Sequence, residues 1–256
     1  MSKTQNSPDA ADIRARARAL HDIPTTPANS LALRAEAWAL LADLLISDYL
    51  HGWNGAGPAE RQAAERAADD ALTLNPQLAL AHYAKGFVFR SKGQHDKAIE
   101  AFDQAIAADP QFAPAHAQKA SELLNDGRPA DDALALIDRA ISMASPGDES
   151  LGTFYWIRGR ICFFKKDYSE AIKALEPSVE LRDEDWYNRV YLAAAYFLSG
   201  DQKKAKHVLD QLDAELEPHT VAMVIEKEKT NPNGRSDFRE MRERLHKALK
   251  DAGMPP

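Results

Sequence analysis

The side chains in this sequence that could carry chemistry are its histidines, its lone cysteine and the aspartates that recur next to apolar residues. A catalytic zinc site needs donors converging from one helical face, as in the H-E-x-x-H spacing, and none of the eight histidines stands in it. His82 and His116 lie 34 residues apart and hold equivalent places in a periodic pattern, which marks them as packing positions. Nucleophilic catalysis needs a Ser or Cys beside a base and an orienting acid, and no spacing here selects such a set. Cys162 sits between Ile161 and Phe163, an apolar setting that keeps a thiol protonated and inert. No Gly-rich turn from strand to helix is present to cradle a phosphate. The chain therefore reads as non-catalytic, with no metal and no cofactor.

The same residues bound the setting. One cysteine excludes an intrachain disulfide and a Cys-rich metal site, and points to a cytoplasmic protein. A net charge of -7 offers no clustered basic face to displace counterions from phosphates, so nucleic acid is not an expected partner. No window approaches the roughly 20 apolar residues that cross a bilayer, and the first residues, MSKTQNSPDAAD, lack the apolar run of a secretory signal. Membrane insertion is not expected.

The elements that would position any functional side chain are helices. Ala and Leu are abundant, Val and Ile few, and only 12 of 256 residues are Gly, which favours helix over sheet. The stretch from Ala79 to Pro110 reads as two short amphipathic helices: Gly86 and Phe89 point inward from the first, Gly93 closes it, and Ala98, Phe102 and Ala105 line the second before Pro110 stops it. Small residues let the helix axes approach and Phe102 fills the remaining gap. The unit then recurs. The alanine that opens the second helix falls at Ala64, Ala98, Ala133, Ala171 and Ala205, in steps of 34, 35, 38 and 34 residues. The facing slot of the first helix holds Gly86, Ala120, Gly159 and Ala193, followed by Phe89, Leu123, Cys162 and Tyr196, while Gly93, Gly127 and Gly200 close turns. No Gly/Ser or Pro-rich linker divides the chain, which favours one array over two compact domains.

At the N-terminal end, residues 1–8 are polar and expected to be disordered. A short helix over 9–21 carries Ile13, Ala17 and Leu20 and ends before Pro24 and Pro27. Thr26-Pro27 starts a long helix to Leu50 that is expected to bury Leu31, Leu33, Trp38, Leu41, Leu45 and Tyr49, and Gly52, Trp53, Gly55 and Gly57 make the loop after it. At the other end, Val221, Met223, Val224 and Ile225 form an apolar cluster. A final helix from Ser236 to Ala252 carries Asp237 and Glu240 at its start, Phe238, Met241, Leu245 and Leu249 as its stripe, and Gly253 as its stop.

This order of small, aromatic and proline residues resembles the tetratricopeptide repeat (TPR) family. The match is specific at Gly86, Phe89, Ala98, Phe102, Ala105 and Pro110, and clear again at Leu192, Ala193, Tyr196, Gly200 and Ala205; it extends over about four fifths of the chain. The resemblance implies an all-α, right-handed superhelical solenoid of antiparallel helix pairs, about 11 to 13 helices. Its segments would be a disordered start (1–8), an N-terminal helix and long helix of a degenerate repeat (9–57), TPR-like repeats (58–218) and C-terminal capping helices (219–256). The long turn of the degenerate repeat suggests that Trp38 and Leu41, rather than Tyr49, face Ala64. Two short stretches, RARALHDIPTTPANSLAL and LHKALKDAGMPP, also resemble the repeat regions that accompany bacterial class III adenylate cyclases. The catalytic part of a cyclase, with its paired metal-binding aspartates on a sheet, has no place in this chain.

The family resemblance implies a non-catalytic protein-interaction scaffold whose partner lies on the concave face, lined by the first helix of each unit. The residues there would be Tyr83, Phe87 and Arg90; Ala117, Ser121 and Asn125; Trp156, Arg160 and Phe164; and Tyr187, Val190, Ala194 and Phe197. They are mostly aromatic and uncharged and lack the Lys and Asn pattern with which relatives clamp a C-terminal carboxylate, so a hydrophobic helix or extended segment is the expected ligand. Two alternatives stand: a regulatory module separated from a cyclase-like or transcriptional output domain, and a homo-oligomeric unit. The final helix either caps the solenoid or occupies its groove. One departure from the family is regular: where Leu is usual, just before the small residue, this chain has Lys85, Lys119 and Arg158. Asp69, Asp103 and Asp138 follow the core residues of the preceding second helices, so the cations either pair with them in a ladder or extend to solvent.

Overall fold

The structure, a computed structural model, describes residues 30–51, 55–183, 185–213, 219–229 and 236–256. The helix expected over 9–21, the Thr26-Pro27 start, Gly52 and Trp53 lie outside the described residues, as do the side chains of Asp237 and Phe238. Twelve α-helices and no strand are found among the described residues, which is the all-α class expected and within the range of helix number.

The described chain falls into two compact units that meet between Ala115 and His116, a point where composition gives no hint of a boundary. Unit 1 holds α1 (Ser30–His51), α2 (Pro58–Leu74), α3 (Ala79–Ser91) and α4 (His95–Ala108). Here α1 packs on α2 and α3, α2 on α3, and α3 on α4. The boundary falls within α5 (Ala113–Asn125), and unit 2 continues with α6 (Ala130–Met143), α7 (Leu151–Phe164), α8 (Tyr168–Leu181), α9 (Trp186–Leu198), α10 (Gln202–Asp213), α11 (Val221–Lys229) and α12 (Ser236–Ala252). Successive helices from α6 to α10 pack on one another, and α12 packs on α7, α9, α10 and α11.

The period written in small residues is the packing code. Ala64, Ala98, Ala133, Ala171 and Ala205 are all fully buried. At Gly86 a Cβ would lie 2.3 Å from Phe102 Cε1, and at Gly159 one would lie 2.5 Å from Leu175 Cγ, so in both hairpins a bulky side chain of the second helix fills the space that glycine leaves in the first. Four hairpin turns close the same way. Gly93, Gly127, Lys166 and Gly200 adopt positive φ, and the residue after each donates its amide back to a carbonyl five residues earlier: Gln94 to Phe89, Arg128 to Leu123, Asp167 to Cys162 and Asp201 to Tyr196, all at 2.9–3.0 Å. Three of the four positions are glycine; Lys166 holds φ 64° with a Cβ, at a steric cost.

The first long helix departs from its expected stripe. Leu31 and Leu33 are each 54% exposed, while Ala35, Ala39, Ala42 and Ile46 are fully buried. The reason is that α1 touches two neighbours at once, and axes that close admit alanines on the buried face and leave bulky leucines outside. Trp38 packs one turn beyond its expected place, against the clusters that hold Ala67, Ala68 and Ala71, whereas Ala64 clusters with Leu45, Ile46 and Val88, and Leu41 and Tyr49 pack against that cluster alike, so Tyr49 is not turned away from it as expected. Phe89, expected inside, is half-buried with the ammonium groups of Lys85 and Lys97 over its ring at 5.5 and 5.8 Å.

Two rungs of the expected ion-pair ladder lie within a unit, and both form. Lys85 pairs with Asp69, and Arg158 Nε donates to Asp138 Oδ1 at 2.8 Å while its other nitrogens reach Glu170 at 3.4 Å. Hydrogen bonding to those carboxylates raises the Arg158 pKa further, against the opposing effect of its partial burial. Pairs at such half-open sites contribute only about 0–1 kcal/mol, so their effect is on register.

Candidate functional site

In unit 1 the face expected to meet a partner is carried by α1 and α3. Tyr83 and Phe87, one helical turn apart, meet edge-to-face at 5.0 Å, and both reach Phe102 of α4, at 5.9 and 5.7 Å. Phe112 closes on Tyr83 at 5.2 Å, and the Arg90 guanidinium lies over Phe87 and Phe102 at 4.9 and 5.4 Å. These side chains are continuous with the core through Phe102 and are half-buried. Burial, reinforced by the charge of Asp43, pushes the Tyr83 hydroxyl pKa well up. Asp43 itself is desolvated enough that its pKa rises to about 6. It was absent from the expected set, and its signal was a single acid inside the apolar run Leu40-Leu41-Ala42-Asp43-Leu44-Leu45-Ile46.

In unit 2 the expected residues Asn125, Trp156, Arg160 and Tyr187 come together. Trp156 and Arg160 are one turn apart on α7, and the guanidinium covers the indole at 5.5 Å while Nη2 donates to the buried Asn125 Oδ1 at 3.1 Å. Trp156 meets Tyr187 and Tyr191 of α9 edge-on at 5.6 and 4.9 Å. Tyr191 was not among the expected residues. It is fully buried, touches Phe163 at 5.3 Å, and accepts from Arg160, so it is the hub that the alternation of aromatics along Trp186-Tyr187-Tyr191 could have pointed to. Val190 and Ala194 are buried, and Phe164 and Phe197 are half-buried near the ends of their helices.

This face carries the chain's own C-terminal segment. On α12, Met241, Leu245, Ala248 and Leu249 are buried, a stripe at helical spacing that lies against the first helices α7 and α9. The Arg244 guanidinium donates to the carbonyls of Phe163 and Phe164, each at 3.2 Å, and covers the Phe163 ring at 5.7 Å. From α11, the buried Glu228 accepts from the Tyr187 hydroxyl at 3.2 Å, lies 2.8 Å from His246 Nε2 and has Arg242 Nε at 3.7 Å. Burial first, then the nearby Tyr191 and the Glu228 charge, push the Tyr187 hydroxyl pKa far up, so it serves as a donor. The α11 amide of Val221 donates to the Pro255 carbonyl at 2.8 Å, tying the last residues back. The final segment thus covers the first-helix face as well as touching α10, where a terminal cap alone would sit.

Among the described residues no group of three or more His, Cys, Asp or Glu is placed to hold a metal ion, and no helix is long and apolar enough to cross a membrane. Cys162 is buried, and desolvation pushes its pKa to about 11. His82 Nε2 donates to the Pro76 carbonyl at 2.8 Å, and His116 is buried, as packing positions would be.

Comparison with known proteins agrees with the geometry. Two tetratricopeptide repeat models match, over residues 79–112 and 152–185. No curated protein matches the chain in sequence. Among solved structures, PilF of Pseudomonas aeruginosa is similar, with a TM-score of 0.61 and 18% identity over 86% of this chain and 93% of its own. PilW, described as a widely conserved type IV pilus biogenesis factor, gives 0.60 and 18% over 83% and 92%. YrrB, described as a TPR protein with an unusual peptide-binding site, gives 0.53 and 17% over 73% and 94%. At these identities the likeness is one of fold. The resemblance of the two terminal stretches to cyclase-associated regions has no counterpart in these matches.

Proposed function

We propose, from the premise that this is a tetratricopeptide-repeat protein, that it is a non-catalytic scaffold which binds an apolar helical segment of another protein. The binding surface is the first-helix face of unit 2, built on Trp156, Arg160, Phe164, Tyr187 and Phe197 with Asn125 behind it; Tyr83, Phe87 and Arg90 form the corresponding face of unit 1. The observation that carries this reading is that α12, an amphipathic helix, already lies on α7 and α9 with its apolar stripe inward. A surface that packs one helix in cis has the shape and apolarity to pack another in trans. The description of YrrB as peptide-binding is support of the same kind. The single cysteine fits a reducing compartment, the cytosol.

Affinity capture from native cytosol with the wild-type chain and a Trp156→Ala, Tyr187→Ala double variant tests the site. The variant should lose specific partners that the wild type retains; identical catches would move the binding surface elsewhere. Self-association is the second reading, favoured by the exposed Leu31, Leu33 and Leu40 on α1. Light scattering separates the two, since a chain that remains monomeric across micromolar concentrations removes it.

A further inference from the structure

We infer that the helix recognised by unit 2 is a basic amphipathic one that replaces α12, and that Glu228 is the residue that reads its charge. This rests on the binding surface proposed above and adds the chemistry of its ligand. The charges that α12 turns inward differ from those it turns to solvent. Its solvent side mixes both signs, with Arg239, Glu240, Glu243, Lys247, Lys250 and Asp251 exposed. Among its described side chains the inward polar ones are basic: Arg242 and Arg244 are each 17% exposed and His246 is 19% exposed.

Each inward basic side chain meets an acceptor that belongs to another helix. Arg244 takes two carbonyls of the last turn of α7, those of Phe163 and Phe164, where the helix dipole favours positive charge. Arg242 and His246 converge on one oxygen of Glu228, whose other oxygen accepts from Tyr187. Glu228 is itself buried on α11, so a helix seated against it without a cation would leave a desolvated carboxylate with only a phenol for a partner. An apolar helix with neutral or acidic residues at these places is therefore rejected, and one with apolar residues at 0, +4, +7 and +8 and bases at +1, +3 and +5 is accepted. Those are the places of Met241, Leu245, Ala248, Leu249, Arg242, Arg244 and His246.

The test uses the full chain with its own helix loosened by Leu245→Ala and Leu249→Ala, and a labelled peptide of residues 236–256 as the probe, read by fluorescence anisotropy. A second peptide keeps the apolar stripe and carries Arg242→Glu, Arg244→Glu and His246→Glu. The inference expects the native peptide to bind at least about tenfold tighter than the charge-reversed one, and expects Glu228→Gln in the protein to shrink that ratio several-fold. Equal binding of the two peptides would overturn the charge reading and leave the helix-binding surface standing. Absence of binding by either, with the loosened chain still melting cooperatively, would overturn the surface as well. If the loosened chain does not fold, the wild-type chain titrated with either peptide into the millimolar range makes the same comparison, because the tethered helix competes at an effective concentration of roughly that size. Concentration-dependent dimerisation of the wild-type chain that the native peptide blocks would make the occupant the α12 of a second copy and overturn the assignment to a partner protein.

Discussion

Gly86 has no side chain because Phe102 occupies the space one would need, and this contact decides how closely α3 and α4 approach. Replacing Gly86 by Ala improves helix propensity by about 1 kcal/mol, but it drives a Cβ into a rigid ring, and overpacking of this kind costs roughly 1–3 kcal/mol. The stability of Gly86→Ala, read from chemical denaturation, should therefore fall, by up to about 2 kcal/mol net; a rise would mean that the ring moves freely. Asp43 makes the opposite sort of residue-level claim. Its folded pKa of about 6 stands above its ordinary 3.8 because burial disfavours the carboxylate. The stability it contributes is fully present below about pH 3.8 and is lost as pH rises through about 6, a swing of at most about 3 kcal/mol. Asp43→Asn should thus be more stable than wild type at pH 7, by about 1–3 kcal/mol, and the difference should shrink towards pH 4. Denaturant melts of both proteins at the two pH values check this, and a constant difference would contradict it.

At the scale of the element, the hairpin turn is the repeated device, and its exception is informative. Gly93, Gly127 and Gly200 take positive φ at little cost, whereas Lys166 holds φ 64° against its own Cβ. Its side chain reaches Glu240 of α12 only at an exposed site, where a pair adds little. Lys166→Gly should raise stability by roughly 0.5–1 kcal/mol, read from the shift in melting midpoint; a loss would assign that weight to the contact with α12 instead. These turns and the small slots facing the second helices were legible in the sequence, because period, glycine and alanine report backbone geometry and axis separation directly. The face of α1 was not. A helix pressed between two neighbours buries its alanines, so Leu31 and Leu33 misled while Ala35, Ala39 and Ala42 carried the core. The two ladder rungs inside the units followed from spacing, since Asp69 with Lys85 and Asp138 with Arg158 recur at fixed places in the unit.

For the molecule as a whole, the first-helix faces are where sequence and structure part most. Tyr83, Phe87, Trp156 and Tyr187 looked like an open aromatic surface because their positions in the repeat face away from the second helices. In unit 1 they fold onto Phe102 and Phe112, and in unit 2 they lie beneath the C-terminal helices. Tyr191 and Glu228, the hub and the charge of that site, were not among the expected residues: the aromatics Trp186, Tyr187 and Tyr191 hinted at the first, while no local pattern marks the second. Contacts between segments distant in the chain leave no periodic trace. Deleting residues 235–256 should expose this face, raising affinity for a helical partner while α7–α10 keep their cooperative melt; loss of that melt would assign α12 a purely capping role. The account turns on α12 being a ligand that can leave, and native-state amide hydrogen exchange measures that without any partner. It predicts that α12 amides exchange through a local opening that costs less free energy than global unfolding and leaves α7 and α9 protected. Exchange of α12 at the same free energy as α9 would contradict it.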